Sequence, residues 1–332
     1  MTKPLVTAAI TAYNAEASIV MALESALAQD WPRLEMLVVD DASNDETVSK
    51  VQTFVQQHGC ASRPIRLIRQ SRNGGVARAR NRLIQEAQGD FIAFFDDDDV
   101  SAPDRISRQY ARIREVETAL GRNMVVCHTA REQLFPDGHT YYERTMGCEG
   151  EPVPVGHAVA DRVLFGRLST GVIGSCATCS QMARKSVYTR LEGFDVALPR
   201  SEDTDLNVRC ALREGAFAGI AEPLVRQTMT VGTEKSIAAE FEAYIALQDK
   251  YRDYLAERGW LDFALRWREV RRASLQGRMG RFSLRVAALA LREPVKLAQK
   301  AYWSIPARHT RRHQRQWHAS VFHAAAPESR SG

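Results

Sequence analysis

Residues 5–99 alternate short β-prone runs with amphipathic helical stretches, and this alternation restricts the chain to few architectures. Residues 5–11 (LVTAAIT), 34–39 (LEMLVV), 65–69 and 91–95 (FIAFF) read as strands. Between the first two, Ile19, Leu23, Ala26 and Leu27 share one helix face, stopped by Asp30-Trp31-Pro32. Ser43-Asn44-Asp45-Glu46 has the Ser-x-x-Glu spacing of a capping box and predicts a helix over residues 47–58, closed by Gly59. Asn73-Gly74-Gly75 breaks the chain before another helix that runs to Ala87. Such alternation builds an α/β fold, a mostly parallel sheet with helices on both faces, because parallel neighbours need crossover connections.

Ligands of such sheets lie beyond the carboxyl ends of the strands. The polar residues fall there: Thr11-Ala12-Tyr13-Asn14 after the first strand, Asp40-Asp41 after the second and Asp96–Asp99 after the fourth. Each alone is ordinary loop chemistry, but three strand ends on one edge suggest a site. No G-x-G-x-x-G follows the first strand and no G-x-x-x-x-G-K-[ST] occurs, which argues against nicotinamide, flavin and P-loop enzymes.

Asp96-Asp97-Asp98-Asp99 is the most informative run. Adjacent carboxylates repel one another unless a cation sits among them, and Mg²⁺ or Mn²⁺ takes carboxylates together with substrate phosphates. The alternative for the run alone is an acidic turn capping a helix that begins near Pro103. A second acidic group, Glu202-Asp203-Thr204-Asp205, follows Gly193-Phe194-Asp195 and opens another helix. Acidic residues there can be caps favoured by the helix dipole, or one can serve as a general base. Between these groups the pattern loosens. Residues 124–128 and 173–182 read as strands, Pro136-Asp137-Gly138 as a turn, residues 147–174 as a mobile loop and residues 217–221 as a last short strand.

Taken in order, these motifs resemble the family 2 glycosyltransferases of GT-A fold. The resemblance runs from Leu5 to Ile220. It rests on Ile10-Thr11-Ala12-Tyr13-Asn14, on Leu23-x-Ser25-x-Leu27-x-Gln29 and on Val38-Val39-Asp40-Asp41-Ala42-Ser43-x-Asp45-x-Thr47. Asn73-x-Gly75 with Ala79-Arg80-Asn81, Phe94-Phe95-Asp96-Asp97-Asp98-Asp99 with Pro103-Asp104, and Gly193-Phe194-Asp195 with Glu202-Asp203-x-Asp205-Leu206-x-x-Arg209 complete it. The resemblance implies transfer of a sugar from a nucleotide-diphosphate sugar to an acceptor hydroxyl with inversion, in surface polysaccharide or glycolipid synthesis. It implies a divalent metal, Mn²⁺ or Mg²⁺, on Asp98, with Asp96 as the other half of D-x-D and Asp97 beside the ribose. Asp41 would bond the base between Thr11 and Tyr13, which suits uracil and makes a UDP-sugar the favoured donor. Arg80 or Arg78 would balance phosphate charge or form a helix-surface salt bridge. Asp203 would be the general base and Glu202 its partner. The acceptor would be a glycan or a lipid-linked saccharide.

Two rivals remain at this stage, a nucleotidyltransferase with a similar sheet and a non-catalytic nucleotide-sugar-binding scaffold. The first would carry a Gly-rich basic loop where residues 11–17 (TAYNAEA) stand, and the second has no use for both Asp98 and Asp203. Three departures from the family pattern are Ala42 in place of Gly, Thr204 where an aromatic is usual, and Leu265-Arg266-Trp267 without the Gln of a Q-x-x-R-W motif. A processive synthase is therefore not expected.

Charge separates the chain into two parts. Among 332 residues, Lys+Arg number 45 and Asp+Glu 40, but residues 251–332 hold 17 basic and 6 acidic side chains. We expect a glycosyltransferase domain over residues 1–235, its nucleotide-binding half ending near 123 and its acceptor half spanning 124–235. A basic helical extension would cover 236–323, ahead of a disordered tail over 324–332. In the extension, Arg266, Arg268, Arg271, Arg272, Arg278, Arg281 and Arg285 interleave with Trp267, Leu275, Phe282, Val286 and Leu289. Such helices suit an anionic membrane surface or lipid-linked acceptor, or equally packing and homodimerisation; no motif supports nucleic acid. Six cysteines are too few for a disulfide scaffold, and Cys176-x-x-Cys179 lacks the second pair of a zinc site. With strand-like sequence from the start and no apolar run of bilayer length, the expected location is cytoplasmic, free or peripheral on the inner face of the membrane.

Overall fold

The computed structural model describes residues 2–229 and 237–305. The chain divides into two compact units, one formed by Met1–Val163 and Ser169–Thr230, the other by Leu164–Leu168 and Val231–Gly332.

The first unit is built on one nine-stranded sheet. Its strands are β1 (Val6–Ala12), β2 (Leu34–Asp40), β3 (Ile65–Arg69), β4 (Phe91–Phe95), β5 (Val100–Ser101), β6 (Val125–Leu134), β7 (Thr140–Glu143), β8 (Gln181–Arg184) and β9 (Ala216–Thr228). The order is β3-β2-β1-β4-β8-β6-β9-β5, with β7 paired to β6. From β3 to β4 all pairings are parallel. Beyond β4 the sheet is mixed, because β8 runs antiparallel to both β4 and β6 while β6 and β9 are parallel. The seven residues of β2 are all buried, as expected of a strand covered on both faces. A single core collects Ile10 of β1, Val38 of β2, Phe95 of β4 and Leu23 of helix α1 (Ile19–Leu27).

This topology fixes where a ligand can sit. The chain runs from β1 outward to β2 and β3, then returns to place β4 on the other side of β1. That reversal opens a crevice at the carboxyl edge, the switch point of open α/β sheets. Register brings Ala12 opposite Asp40 and Ile10 opposite Phe95, so the polar ends of β1, β2 and β4 meet there.

Helices α2 (Thr47–His58), α3 (Val76–Glu86) and α4 (Arg105–Leu120) complete the first half. The Ser43-x-x-Glu46 capping box does not form. Thr47 N is instead capped by Asp45 Oδ1 at 3.0 Å, because Ser43 Oγ accepts Asn14 N from the β1 loop at 2.9 Å. The strand expected over residues 173–182 shrinks to β8, preceded by a one-turn 3-10 helix at Thr178–Ser180. The loop of residues 147–174 contains helix α5 (His157–Phe165), and the last strand extends well past residue 221. Helices α6 (Lys185–Arg190) and α7 (Glu202–Leu212) precede it.

The second unit holds α8 (Ile237–Lys250), α9 (Arg252–Glu257), α10 (Leu261–Leu275), α11 (Met279–Arg292) and α12 (Pro294–Trp303). Pro294 starts α12 at a first-turn position, where a missing N–H costs nothing. An aromatic cluster orders this unit, with Phe165 stacked on Trp260 at 4.9 Å and Trp303 5.2 Å from Trp260. Arg268 is buried and paired with Asp249 at 2.7 Å and Gln248 at 2.9 Å. Arg272 and Arg285 both engage Glu269, so part of the basic charge is neutralised internally. The tail expected over residues 324–332 lies outside the described residues.

Candidate active site

The three strand ends are tied to one another by their own polar groups. Tyr13 N donates to Asp97 Oδ2 at 2.9 Å, joining the β1 and β4 ends. Asn44 N donates to Asn14 Oδ1 at 3.0 Å, joining β1 and β2. The Asp41 carboxylate, buried, accepts Gln70 Nε2 at 2.5 Å, Gly74 N at 2.8 Å and Gly75 N at 2.8 Å. It thereby fixes the Asn73-Gly74-Gly75 turn that launches α3. Three of about four acceptor positions on a carboxylate are used in this way, which leaves room for one further donor. Thr11 is half-buried and Tyr13 is exposed beside this edge. Ala42 sits at φ 61°, a left-handed conformation that costs an L residue roughly 1–2 kcal/mol and that glycine adopts freely. The glycine of the resembling pattern thus has a backbone reason, and this chain tolerates the strain.

Arg80, on α3, connects two acidic groups that are far apart in sequence. Its Nη1 donates to Glu202 Oε1 at 2.7 Å and its Nη2 to Asp96 Oδ1 at 3.3 Å. The guanidinium is buried and lies 5.5 Å from the Phe194 ring. Burial works against its charge, but Asp96, Glu202 and Asp203 more than offset it, and its pKa lies above the ordinary arginine value. Both terminal nitrogens are held by carboxylates in a buried cluster rather than on the helix surface, while the buried Nε has no hydrogen-bond partner.

The neighbouring Asn81 positions the second motif. Its side chain donates from Nδ2 to Phe194 O at 2.8 Å and accepts Phe194 N on Oδ1 at 2.7 Å. Gly193 precedes that residue at φ 70°, and a Cβ there would lie 2.3 Å from Asn81 Oδ1, so only glycine fits. From α7, Arg209 binds Asp205 Oδ2 at 2.7 Å, Gly193 O at 2.7 Å and the Leu191 carbonyl, locking the helix to the same turn. Asp203 Oδ1 accepts Thr204 N at 2.6 Å. Ser201, immediately before the motif, has φ 63°, a second strained residue at the site.

The acidic run is electrostatically uncomfortable without a cation. Burial, with the charges of Asp98 and Asp96, pushes Asp97 up to about 7 despite its bond from Tyr13. Burial and the charges of Asp96 and Asp98 push Asp99 up to about 8. Glu202 is also raised, first by burial and then by Asp203, against the pull of Arg80. Asp99 Oδ1 accepts Thr228 N at 3.2 Å, whereas its buried Oδ2 has no hydrogen-bond partner. Ligand-type atoms of Asp96, Asp99 and Cys179 lie within 4.8 Å of one another. An orphan buried carboxylate oxygen among repelling carboxylates is the donor chemistry a hard divalent cation satisfies, so the residues fit such an ion. Asp98, half-buried, stands outside that grouping.

Sequence reasoning therefore missed Asp99 and Cys179 as neighbours of Asp96. Cys179 falls in the segment expected to be a strand but stands in the 3-10 turn, with Arg131 Nη1 donating to its Sγ at 3.4 Å. Asn81 belongs to the Ala79-Arg80-Asn81 motif, and its place one residue after Arg80 is the signal in the sequence for its positioning role. Thr11, Tyr13, Asp41, Asp96 and Asp97 lie together at the β1-β2-β4 edge, and Arg80 joins that edge to Glu202 and its neighbour Asp203.

Residues 7–166 match the model described as glycosyl transferase family 2. The succinoglycan biosynthesis protein ExoO of Rhizobium meliloti (strain 1021) is 42% identical over 109 residues, covering 33% of this chain and 30% of that protein. The amylovoran biosynthesis glycosyltransferase AmsB of Erwinia amylovora is 27% identical over 220 residues, covering 66% of this chain and 68% of that protein. Among solved structures, S. aureus TarS 1-349 in complex with UDP-GlcNAc superposes with a TM-score of 0.57 at 15% identity, over 87% of this chain and 92% of that one. The last likeness is one of fold, and it agrees with the GT-A-type sheet described above. The matched family model spans the strand ends that form the crevice, and it displaces the nucleotidyltransferase reading. Over residues 7–166, just under half of its length, the chain is similar to glycosyl transferase family 2.

Proposed function

We propose that the chain transfers a sugar, with inversion, from a nucleotide-diphosphate sugar to an acceptor hydroxyl in surface polysaccharide or glycolipid synthesis. The observation that carries this reading is the Arg80 bridge, which brings Asp96 of the acidic strand end beside Glu202 and Asp203 of α7. A donor site and a base are then neighbours across one crevice. The named tasks of ExoO and AmsB, succinoglycan and amylovoran biosynthesis, support a polysaccharide product. The UDP-GlcNAc held by TarS supports a uridine donor.

In this reading Asp41, with Thr11 and Tyr13, receives the base, and Asp97 lies beside the ribose. Asp98 and Asp96 would hold Mn²⁺ or Mg²⁺, which would supply positive charge against the leaving diphosphate. Asp203 takes the proton of the acceptor hydroxyl as its oxygen attacks the anomeric carbon. The bond from that carbon to the diphosphate oxygen breaks, and the nucleoside diphosphate leaves with the electron pair. Glu202, held by Arg80, orients Asp203 and keeps negative charge close to it.

Replacing the base tests this division of labour. Asp203→Asn is expected to keep nucleotide binding and lose transfer by about 10²–10⁴-fold, the usual worth of a general base. Unchanged turnover in that variant would remove Asp203 from the role.

A further inference from the structure

Helix α11 is apolar on two sides. Leu289 is buried, and Phe282 and Val286 are half-buried on the same side. These are the apolar residues that the sequence pattern singles out, and they pack inward. The opposite side leaves Leu284 72% and Leu291 86% exposed, with exposed Ala287 and Ala288 beside them. Helix α12 repeats this, with Val295 68% and Tyr302 65% exposed and exposed Ala298 between them. Positions 284, 288 and 291 of α11 step by four and three, and positions 295, 298 and 302 of α12 by three and four, the spacing of one face within each helix. Large apolar side chains grouped in this way mark an interaction surface.

The charge beside this face selects the occupant. Residues 278–305 carry six basic side chains and one acidic one. Lys296 pairs with that acid, Glu293, and Arg285 with Glu269. Arg278, Arg281 and Arg292 are exposed and have no ion pair among the described residues. An apolar stripe flanked by uncompensated arginines matches an anionic lipid surface, where leucines enter the acyl boundary and arginines meet phosphates. A second copy of the chain would set the same positive charges against each other across a two-fold axis. No described helix is long and apolar enough to cross a membrane, so the fit is to lie on the surface. We propose that the α11–α12 face docks this protein on an anionic lipid surface through Leu284, Leu291, Val295 and Tyr302, with Arg281 and Arg292 at the headgroups. The proposal stands on this face alone and does not depend on the transfer reaction.

The test is flotation of the full chain with vesicles of phosphatidylcholine containing about 30% phosphatidylglycerol, against phosphatidylcholine alone. Wild type is expected to float with the anionic vesicles and to detach in high salt. The double variant Leu284→Ser/Leu291→Ser alters two exposed positions and is expected to partition at least about tenfold more weakly. Arg281→Glu/Arg292→Glu leaves the apolar stripe intact and is expected to lose binding to a similar degree. Nucleotide titration of the same samples should be unchanged in both variants. Failure of wild type to float, or partition of either variant equal to that of wild type, would overturn the proposal. So would a concentration-dependent dimer, seen by light scattering without vesicles, that the leucine variant abolishes.

Discussion

Arg80 satisfies Asp96 and Glu202 together, two carboxylates 106 positions apart that would otherwise repel one another at the crevice. Removing one partner from a buried ion cluster leaves the remaining charges uncompensated, which typically costs about 3–5 kcal/mol. Arg80→Met is therefore expected to lower the unfolding free energy by that order, read as a lower denaturant midpoint, with Glu202 shifting further toward its protonated form. An unchanged midpoint would mean that solvent already screens the pair. The acidic run supplies a pH-dependent prediction. Asp97 and Asp99 hold their protons to about 7 and about 8, far above the ordinary 3.8 of an aspartate. The folded metal-free state thus binds more protons than the unfolded chain across that interval. Its contribution to stability is full below the ordinary aspartate pKa and is lost as pH rises through the folded values. A cation competes with those protons for the same oxygens. The thermal shift produced by Mn²⁺ should therefore grow from pH 5 to pH 8, and a flat profile in differential scanning fluorimetry would contradict the reading. The residues themselves were legible in the sequence because acidic runs at strand ends are rare enough to stand out. The Asp99–Cys179 neighbourhood was not, because a thiol in an apolar-looking segment gives no sign of which way it faces.

At the scale of elements, α3 is the piece that joins the two halves of the site. Consecutive residues of its first turns face different partners, Arg80 toward the carboxylates and Asn81 toward the backbone of Phe194. Asn81→Ala would leave the Phe194 N–H and C=O without their partner, a loss of about 1–3 kcal/mol for such partly buried groups. The expected outcome is a lower denaturant midpoint and slower transfer with donor affinity retained; a wild-type midpoint would show the turn to be self-supporting. The strands at 65–69 and 91–95 and the helix at 47–58 were legible to the residue, since each is a strong period bounded by Gly, Pro or Asp. The segment 173–182 misled because a short apolar run does not distinguish a strand from a buried turn; its 3-10 turn at Thr178–Ser180 is set by tertiary contact. The capping box failed for a similar reason: Ser43 has a long-range partner in Asn14 that local spacing cannot reveal.

For the whole molecule, the charge contrast between body and extension was visible in composition, but its meaning was not. Several of the extension's arginines are consumed by internal pairs with Asp249 and Glu269, while an outward apolar face lies on residues that the sequence pattern did not single out. The crevice at the β1/β4 switch point follows directly from strand order, and strand order depends on long-range pairing. The central claim is that this crevice binds a nucleoside diphosphate with a divalent cation. Calorimetric titration of the full chain with UDP and with UDP-sugars, in Mn²⁺ and again after chelation, tests it most directly. We predict binding in Mn²⁺ that weakens at least about tenfold on chelation, since the metal offsets charge between the diphosphate and the aspartates. Absence of binding by any nucleoside diphosphate in Mn²⁺, or equal affinity with and without the ion, would contradict it.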